Sequence, residues 1–352
     1  MKIILDAMGG DEAPAETVAG AVLAAREFGV EVILVGRTAA LQAELAKHQT
    51  AGLQLPIQEA PDVIPMDEHH PSDVWKRMKQ ASLVVALNLL RAGNGDALVS
   101  AGNTGAVVAS SLFLLRRVAG IERPCLATIF PTRNPQQPLL LADAGATPDA
   151  KPQYLVQWAQ MGSVYMQNVF GQAQPRVALL SNGEEEVKGN ALVQEAFPLL
   201  QAAGLNFIGN VEAKDIPAGI ADVIVTDGFT GNVVIKLAEG LGSMILGLLR
   251  EELTSSLLTK VLAAGLTPAF RRVRGRMDYA EYGGAPLFGV QGLVIKAHGR
   301  SNARAIRSAI RVANQAAERG TLTAFQQIGA TAVPPAPGAG PEVPAPALGG
   351  PP

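Results

Sequence analysis

Only one cysteine, Cys125, occurs in 352 residues. No intrachain disulfide can form, which suits a reducing cytoplasm. Neither sign of charge is in excess, with 29 Lys and Arg against 31 Asp and Glu and a net charge of −2. Nucleic acid is therefore not an expected partner, and any electrostatic docking site must be a local patch. The opening Met1-Lys2-Ile3-Ile4-Leu5-Asp6 runs straight into a strand pattern and has no signal-peptide layout. No uninterrupted apolar run reaches the ~18–20 residues of a spanning helix. A cytoplasmic protein that touches a membrane without crossing it is expected.

Familiar nucleotide and nucleophile motifs are missing too. There is no G-x-x-x-x-G-K-[ST] loop and no G-x-S-x-G elbow, and the first strand turn carries no G-x-G-x-x-G. Cys125 sits in the apolar stretch RPCLATIF and reads as a small buried hydrophobe rather than a nucleophile. The cluster Met66-Asp67-Glu68-His69-His70 offers adjacent rather than spaced ligands and runs into Pro71. No metal is expected there.

What is present is apolar and alternating. Apolar residues make up 48% of the chain, enough to bury a sizeable core. KIIL (2–5), EVILVG (31–36), DALVS (96–100), LLLAD (139–143), RVALLS (176–181) and ADVIVTD (221–227) read as strands. Several are apolar almost throughout, as parallel strands covered on both faces should be. Helical patterns fall between them at 15–28, 38–47, 72–92, 105–117, 151–170, 190–203 and 232–252. The alternation predicts an α/β fold with a doubly wound sheet, whose ligands sit at the carboxyl ends of strands. VSAGNTGAVV (99–108) and VTDGFTGNVV (225–234) share the pattern V-x-x-G-x-T-G-x-V-V, which suggests two pseudo-equivalent halves within one catalytic unit, residues 1–330. From 331 to 352 the composition turns to Pro, Ala and Gly, predicting a disordered tail.

Glycines gather where the strands end. Asp6, Gly9, Gly10 and Asp11 form one such turn, readable as a capped strand-to-helix connection or as a binding loop. Ser100, Gly102, Asn103, Thr104 and Gly105 form a second, with hydroxyls and an amide before a helix whose positive end favours a phosphate. Asp227, Gly228, Thr230, Gly231 and Asn232 form a third, where the Asn232 amide suits a phosphate oxygen or the oxyanion of an attacked thioester. In Asn182-Gly183-Glu184-Glu185-Glu186-Val187-Lys188-Gly189-Asn190 the glutamates read as solvated charges at a helix opening, while Lys188 suits a point-charge clamp on phosphate. Lys296, His298 and Arg300 alternate along a strand-like segment and add positive charge on one face. His298 reads equally as a structural histidine.

Residues 253–276 combine an apolar helical stripe (Leu257, Leu258, Val261, Leu262) with Phe270 and the arginines Arg271, Arg272, Arg274 and Arg276. The segment is either an ordinary core helix with a solvated loop or a protruding hairpin near 250–278. As a hairpin, its apolar edge would meet a membrane interface and its arginines an acidic partner.

In this order the motifs resemble the acyl-acyl carrier protein:phosphate acyltransferases of phospholipid synthesis. The segments that carry the likeness are DAMGGDEAP (6–14), SAGNTGA (100–106), CLATIFPT (125–132), KPQYLVQWAQMGSVY (151–165), NGEEEVKGN (182–190), DGFTGNVVIK (227–236), YGGAPLFGVQG (282–292) and VIKAHGRS (294–301). Thr147, Ala150 and Ser181-Asn182 depart from the usual family pattern. The resemblance implies a three-layer α/β/α fold like isocitrate and isopropylmalate dehydrogenases, with a mixed sheet and Rossmann-like halves. It implies a homodimer, no cofactor, and acyl phosphate made from acyl carrier protein thioester and inorganic phosphate. It also implies peripheral membrane attachment and delivery to a membrane glycerol-3-phosphate acyltransferase. Direct attack by phosphate would use Lys188 and Asn232 as the core pair, with Gly102, Asn103, Thr104, Gly228 and Thr230 cradling the anion. Two alternatives are an acetyl- or butyryltransferase that uses acyl-CoA, and a non-catalytic scaffold that binds acyl carrier protein at a membrane.

Overall fold

The computed structural model describes residues 1–134, 136–256, 259, 260, 263, 265–267, 269 and 283–331. Leu257, Leu258, Val261, Leu262, Phe270, Arg271, Arg272, Arg274 and Arg276, proposed as contacts with carrier protein and membrane, lie outside the described residues, as does most of the 331–352 tail.

Two sheets form, as the near-continuous apolar strands require. The first holds β1 (Lys2–Asp6), β2 (Glu31–Gly36), β3 (Ile57–Glu59), β4 (Ala97–Ser100), β5 (Cys125–Leu126) and a late pair near the C-terminus. That pair is β11 (Ala285–Phe288) and β12 (Leu293–Lys296), and the strand order is β3-β2-β1-β4-β12-β11-β5. Its first five strands are parallel, while β11 runs antiparallel to both β12 and β5. The second sheet holds β6 (Thr128–Phe130), β7 (Leu139–Ala142), β8 (Arg176–Ser181), β9 (Asn206–Glu212) and β10 (Val223–Val225), ordered β6-β7-β10-β8-β9. Only β6 is antiparallel there. Ala127 alone separates β5 in one sheet from β6 in the other, and its N–H donates to the Pro286 carbonyl at 2.9 Å.

Alternation along the strands sorts side chains to two faces. Ile3 and Leu5 join a core with α1 (Ala15–Phe28), while Ile4 joins another with α4 (Ser82–Arg91). The first of these cores continues into the second sheet through Leu140, Leu179 and Val223, with Trp158 of α6 (Pro152–Phe170) buried among them. Helix α2 (Thr38–Leu45) precedes β3, α5 (Thr104–Leu115) follows β4, and α7 (Ala191–Ala202) follows β8. Helix α8 (Gly228–Thr254) follows β10, and α9 (Ala303–Glu318) and α10 (Thr321–Thr331) close the described chain.

Four expectations are corrected. The single helix read at 72–92 is two, α3 (Val74–Arg77) and α4, because the chain leaves helical geometry at Met78 to bridge Asp62 and Ala81. Helix α5 stops at Leu115 because Arg116 takes φ 66°. The helix read from 232 starts at Gly228, so Phe229, Thr230, Gly231 and Asn232 lie in its opening turns. Helix α8 is also long and apolar enough, by length and composition, to cross a membrane. The unbroken-run criterion missed it because Lys236 and Glu239 interrupt a stretch whose mean hydropathy stays high.

Candidate active site

Three neighbouring parallel strands end at one level on Asp6 of β1, Ser100 of β4 and Lys296 of β12. From β1 the chain winds outward through β2 and β3, then returns to β4 on the other side of β1. The crevice between β1 and β4 is thus a topological switch point, where open α/β sheets bind ligands. Asp6 is buried, accepting from Ser82 Oγ at 2.6 Å and Ser100 Oγ at 2.7 Å. Burial pushes its carboxyl above the usual carboxylate range, against the pull of these hydroxyls and of backbone at Met8 and Gly9. Ser100 Oγ in turn accepts from Gly102 N–H at 3.1 Å. A Cβ on Gly9 would stand 2.8 Å from Gly102 N, so only glycine lets the two loops meet.

Asn103 caps α5, its side chain accepting from Ala106 N–H at 3.0 Å while its amide donates to the Met66 carbonyl at 2.9 Å. The N–H groups of Thr104 and Gly105 stand at the helix start, where no intrahelical acceptor exists. Asp11 N–H donates to the Gly299 carbonyl at 2.8 Å, tying the first turn to the loop after β12. The strand ends at Lys296, so Lys296, His298 and Arg300 do not alternate on it. Lys296 is buried, His298 half-buried and Arg300 exposed. His298 Nδ1 accepts from Arg300 N–H at 3.2 Å, which leaves Nε2 as the donor of a neutral ring. Burial lowers its pKa, and nearby Lys296, Lys236 and Arg300 add to that while Glu239 opposes it. Lys236 and Glu239 belong to α8, so the first sheet's loops face the helix that rises from the second.

In the second sheet β7, β10 and β8 end side by side. Asp143, just past β7, accepts on Oδ1 from the N–H groups of Leu126 (2.9 Å), Gly145 (3.2 Å) and Ala146 (3.1 Å), and on Oδ2 from Thr147 (2.6 Å). Burial nonetheless raises its pKa. Asp227 caps α8, accepting from Thr230 N–H at 2.8 Å and Thr230 Oγ1 at 2.7 Å. Gly228 and Gly231 are required by contact, because a Cβ would come 2.6 Å from Asp143 Oδ2 and 1.9 Å from the Asp143 carbonyl respectively. Asn232, exposed, lies beside Gly145, whose added Cβ would stand 3.5 Å from its own. Lys188 is exposed on a loop closed by Gly189 N–H to Asn182 Oδ1 at 2.9 Å, its stem lying over Gly183.

The structure therefore brings Asp6, Gly9, Ser100 and Gly102 into contact, and places Asp227, Gly228, Thr230, Gly231 and Asn232 at one helix start. Lys188 stands on the loop that follows the neighbouring strand β8. Sequence reasoning did not find Asp143 or Ser82, and Lys296 it saw only as added charge. An aspartate directly after an apolar strand and before Ala-Gly was the available signal for Asp143. The His69-His70 cluster is an ion-paired turn, with Glu68 accepting from Arg77 at 3.1 Å. Elsewhere, Glu184, Glu212 and Asp215 bring carboxylate oxygens within 4.8 Å of one another, and Lys214 pairs with Glu212 there.

A family model described as fatty acid synthesis protein matches residues 1–323. The chain belongs to this family. A phosphate acyltransferase of Desulfitobacterium hafniense (strain Y51) is 49% identical over 323 residues, covering 92% of this chain and 95% of its own. One of Geobacter sulfurreducens is 48% identical over 320 residues, covering 91% and 92%. This member of the fatty acid synthesis protein family is thus an acyltransferase whose reaction involves phosphate. A phosphotransacetylase from Streptococcus pyogenes shares the fold at TM-score 0.63 and 19% identity, covering 90% of this chain and 94% of its own. EutD phosphotransacetylase from Staphylococcus aureus does so at TM-score 0.59 and 17% identity, with the same coverages.

Proposed function

We propose that the enzyme joins inorganic phosphate to the fatty acyl group of acyl carrier protein, releasing acyl phosphate and the free carrier thiol. The observation that carries this is the pair of helix starts, α5 and α8, each opening from a glycine-rich strand end. A phosphate oxygen attacks the thioester carbon, a tetrahedral oxyanion forms, and the carbon–sulfur bond breaks with the electron pair leaving on sulfur, which takes a proton. The first helix start and Lys188 hold the phosphate, and the Asn232 amide donates to the oxyanion. Cys125 supports direct attack, since it is buried and burial pushes its thiol pKa well up, with Asp143 adding to the shift. Asp6 and Asp227 orient donors, their oxygens being occupied by hydroxyls or backbone N–H.

One catalytic unit over residues 1–330 carries the chemistry, and the 331–352 tail takes no part. The enzyme acts as a homodimer, supported by the exposed stripe Val233, Leu237, Leu241, Met244 and Leu248 along α8. Residues 253–276 touch acyl carrier protein and the inner face of the cell membrane. There the product passes to a glycerol-3-phosphate acyltransferase, feeding phosphatidic acid synthesis.

Acyl phosphate formation from matched acyl carrier protein and acyl-CoA donors, with and without phosphate, tests the proposal. Phosphate-dependent turnover that prefers the carrier protein is expected. A preference for acyl-CoA would make the enzyme an acetyl- or butyryltransferase type, and carrier binding without phosphate-dependent release would make it a scaffold.

A further inference from the structure

Lys296 is the one ammonium among the described lysines buried beneath the first phosphate loop, with 6% of its surface exposed. It ends β12 in register with Ser100 of β4, which is itself in register with Asp6 of β1. Its Nζ donates to the carbonyl oxygens of Ala101 at 3.5 Å and of Ala297, one from each flanking loop. The Ser100 carbonyl accepts from Ala297 N–H at 2.9 Å. Ser100 Oγ is spent on Asp6 and Gly102. The carbonyl oxygens of Ser100, Ala101 and Ala297 are thus engaged within the two loops, while Thr104 and Gly105 at the α5 start keep N–H groups with no intrahelical acceptor.

We propose that Lys296 is the positioning residue of the first phosphate loop, gathering the carbonyl oxygens of Ala101 and Ala297 so that both loops present donors to the anion. Without the ammonium these oxygens turn outward, where they repel phosphate. The proposal rests on the reading of this crevice as the phosphate site. Asp6 of β1 and Asp11 of the following turn favour the charge on Lys296, while that charge in turn disfavours protonation of His298 beyond β12. Burial outweighs the two carboxylates and brings the lysine pKa down to about 8. The clamp is therefore charged near neutrality and is lost in alkali.

The test compares the full-length parent with Lys296→Met and Lys296→Arg. It measures the KM for inorganic phosphate, the KM for the acyl donor, kcat, and the thermal shift produced by inorganic phosphate alone. Near neutral pH, Lys296→Met should raise the phosphate KM about tenfold and leave the donor KM within about twofold, since only buried hydrogen bonds to the phosphate loop are lost. Lys296→Arg, whose guanidinium stays charged, should keep most of the phosphate affinity. The parent's phosphate KM should rise through pH 8, toward the Met variant's value. In Lys296→Arg that rise should be absent.

A folded Lys296→Met with the parent's phosphate KM overturns the proposal. So does an alkaline rise in Lys296→Arg equal to the parent's, and that comparison decides the matter if the Met variant does not fold. If the parent shows a phosphate-induced thermal shift but makes no acyl phosphate, the proposed reaction fails while the shift still tests Lys296. A parent with neither a phosphate-induced shift nor phosphate-dependent turnover overturns the reading of this crevice and the proposal with it.

Discussion

Replacing Asp143 by Asn keeps shape and removes charge, so its cost can be worked from four hydrogen bonds. The carboxylate accepts from Leu126, Gly145 and Ala146 on one oxygen and from Thr147, at 2.6 Å, on the other. An asparagine can place its carbonyl toward the three-donor side, but its NH2 then faces Thr147 N–H. The short charge-assisted bond is lost and a buried donor is left unpaired, while the other three bonds weaken. Against this, burial that raises the Asp143 pKa is relieved when the charge is removed. The balance is a destabilisation of about 2–3 kcal/mol. Unfolding entropy of about 2.1 cal/mol/K per residue over 352 residues converts that to a fall in Tm of roughly 3–4 °C. Differential scanning calorimetry near neutral pH measures it, and Tm unchanged within 1 °C would refute the reasoning. The pH sign is also fixed. A carboxyl whose folded pKa is raised contributes stability below its unfolded value and loses it as pH rises through the folded one. The deficit of Asp143→Asn, whose amide does not titrate, should therefore be smaller at neutral pH than in acid.

Gly231→Ala puts a Cβ 1.9 Å from the Asp143 carbonyl and should abolish soluble expression or lower Tm by many degrees, whereas Gly240→Ala, with nothing within 4 Å, should leave the fold intact. Paired Tm measurements check this, and equal effects would contradict the contact. Lys188→Ala should cut turnover about a hundredfold, as loss of one preorganised charged donor does, with Tm unchanged because the side chain is exposed. A normal rate would remove Lys188 from the mechanism. Leu241→Asp should halve the mass measured by light scattering if the α8 stripe joins two copies, and an unchanged dimeric mass would place the interface elsewhere.

Strands such as EVILVG and RVALLS were legible because burial on both faces leaves little but Val, Ile, Leu and Ala, and both match their observed bounds. Strand β9 was not, since Gly209, at φ 97°, interrupts its alternation and the pairing with β8 shifts register near Leu179. The break between α3 and α4 was hidden because the apolar pattern runs on while a tertiary bridge from Asp62 decides the geometry. Helix α9 carries a clear apolar stripe that the sequence patterns above left unassigned. The glycine loops could be read from local chemistry alone. Ser82 could not, because its meaning comes from Asp6, 76 residues away, and Lys296 acquires its own from a carbonyl 195 residues distant.

Ala127 has a consequence for how substrate enters. A linker of one buried residue, held to Pro286, contributes two backbone torsions and no slack. Asp143 fastens the same place by accepting from Leu126 across the boundary. Parting the two sheets at this point would have to break the Ala127–Pro286 or the Leu126–Asp143 hydrogen bond. Substrate entry that needed such parting would therefore cost a buried hydrogen bond of the backbone at the seam between the sheets.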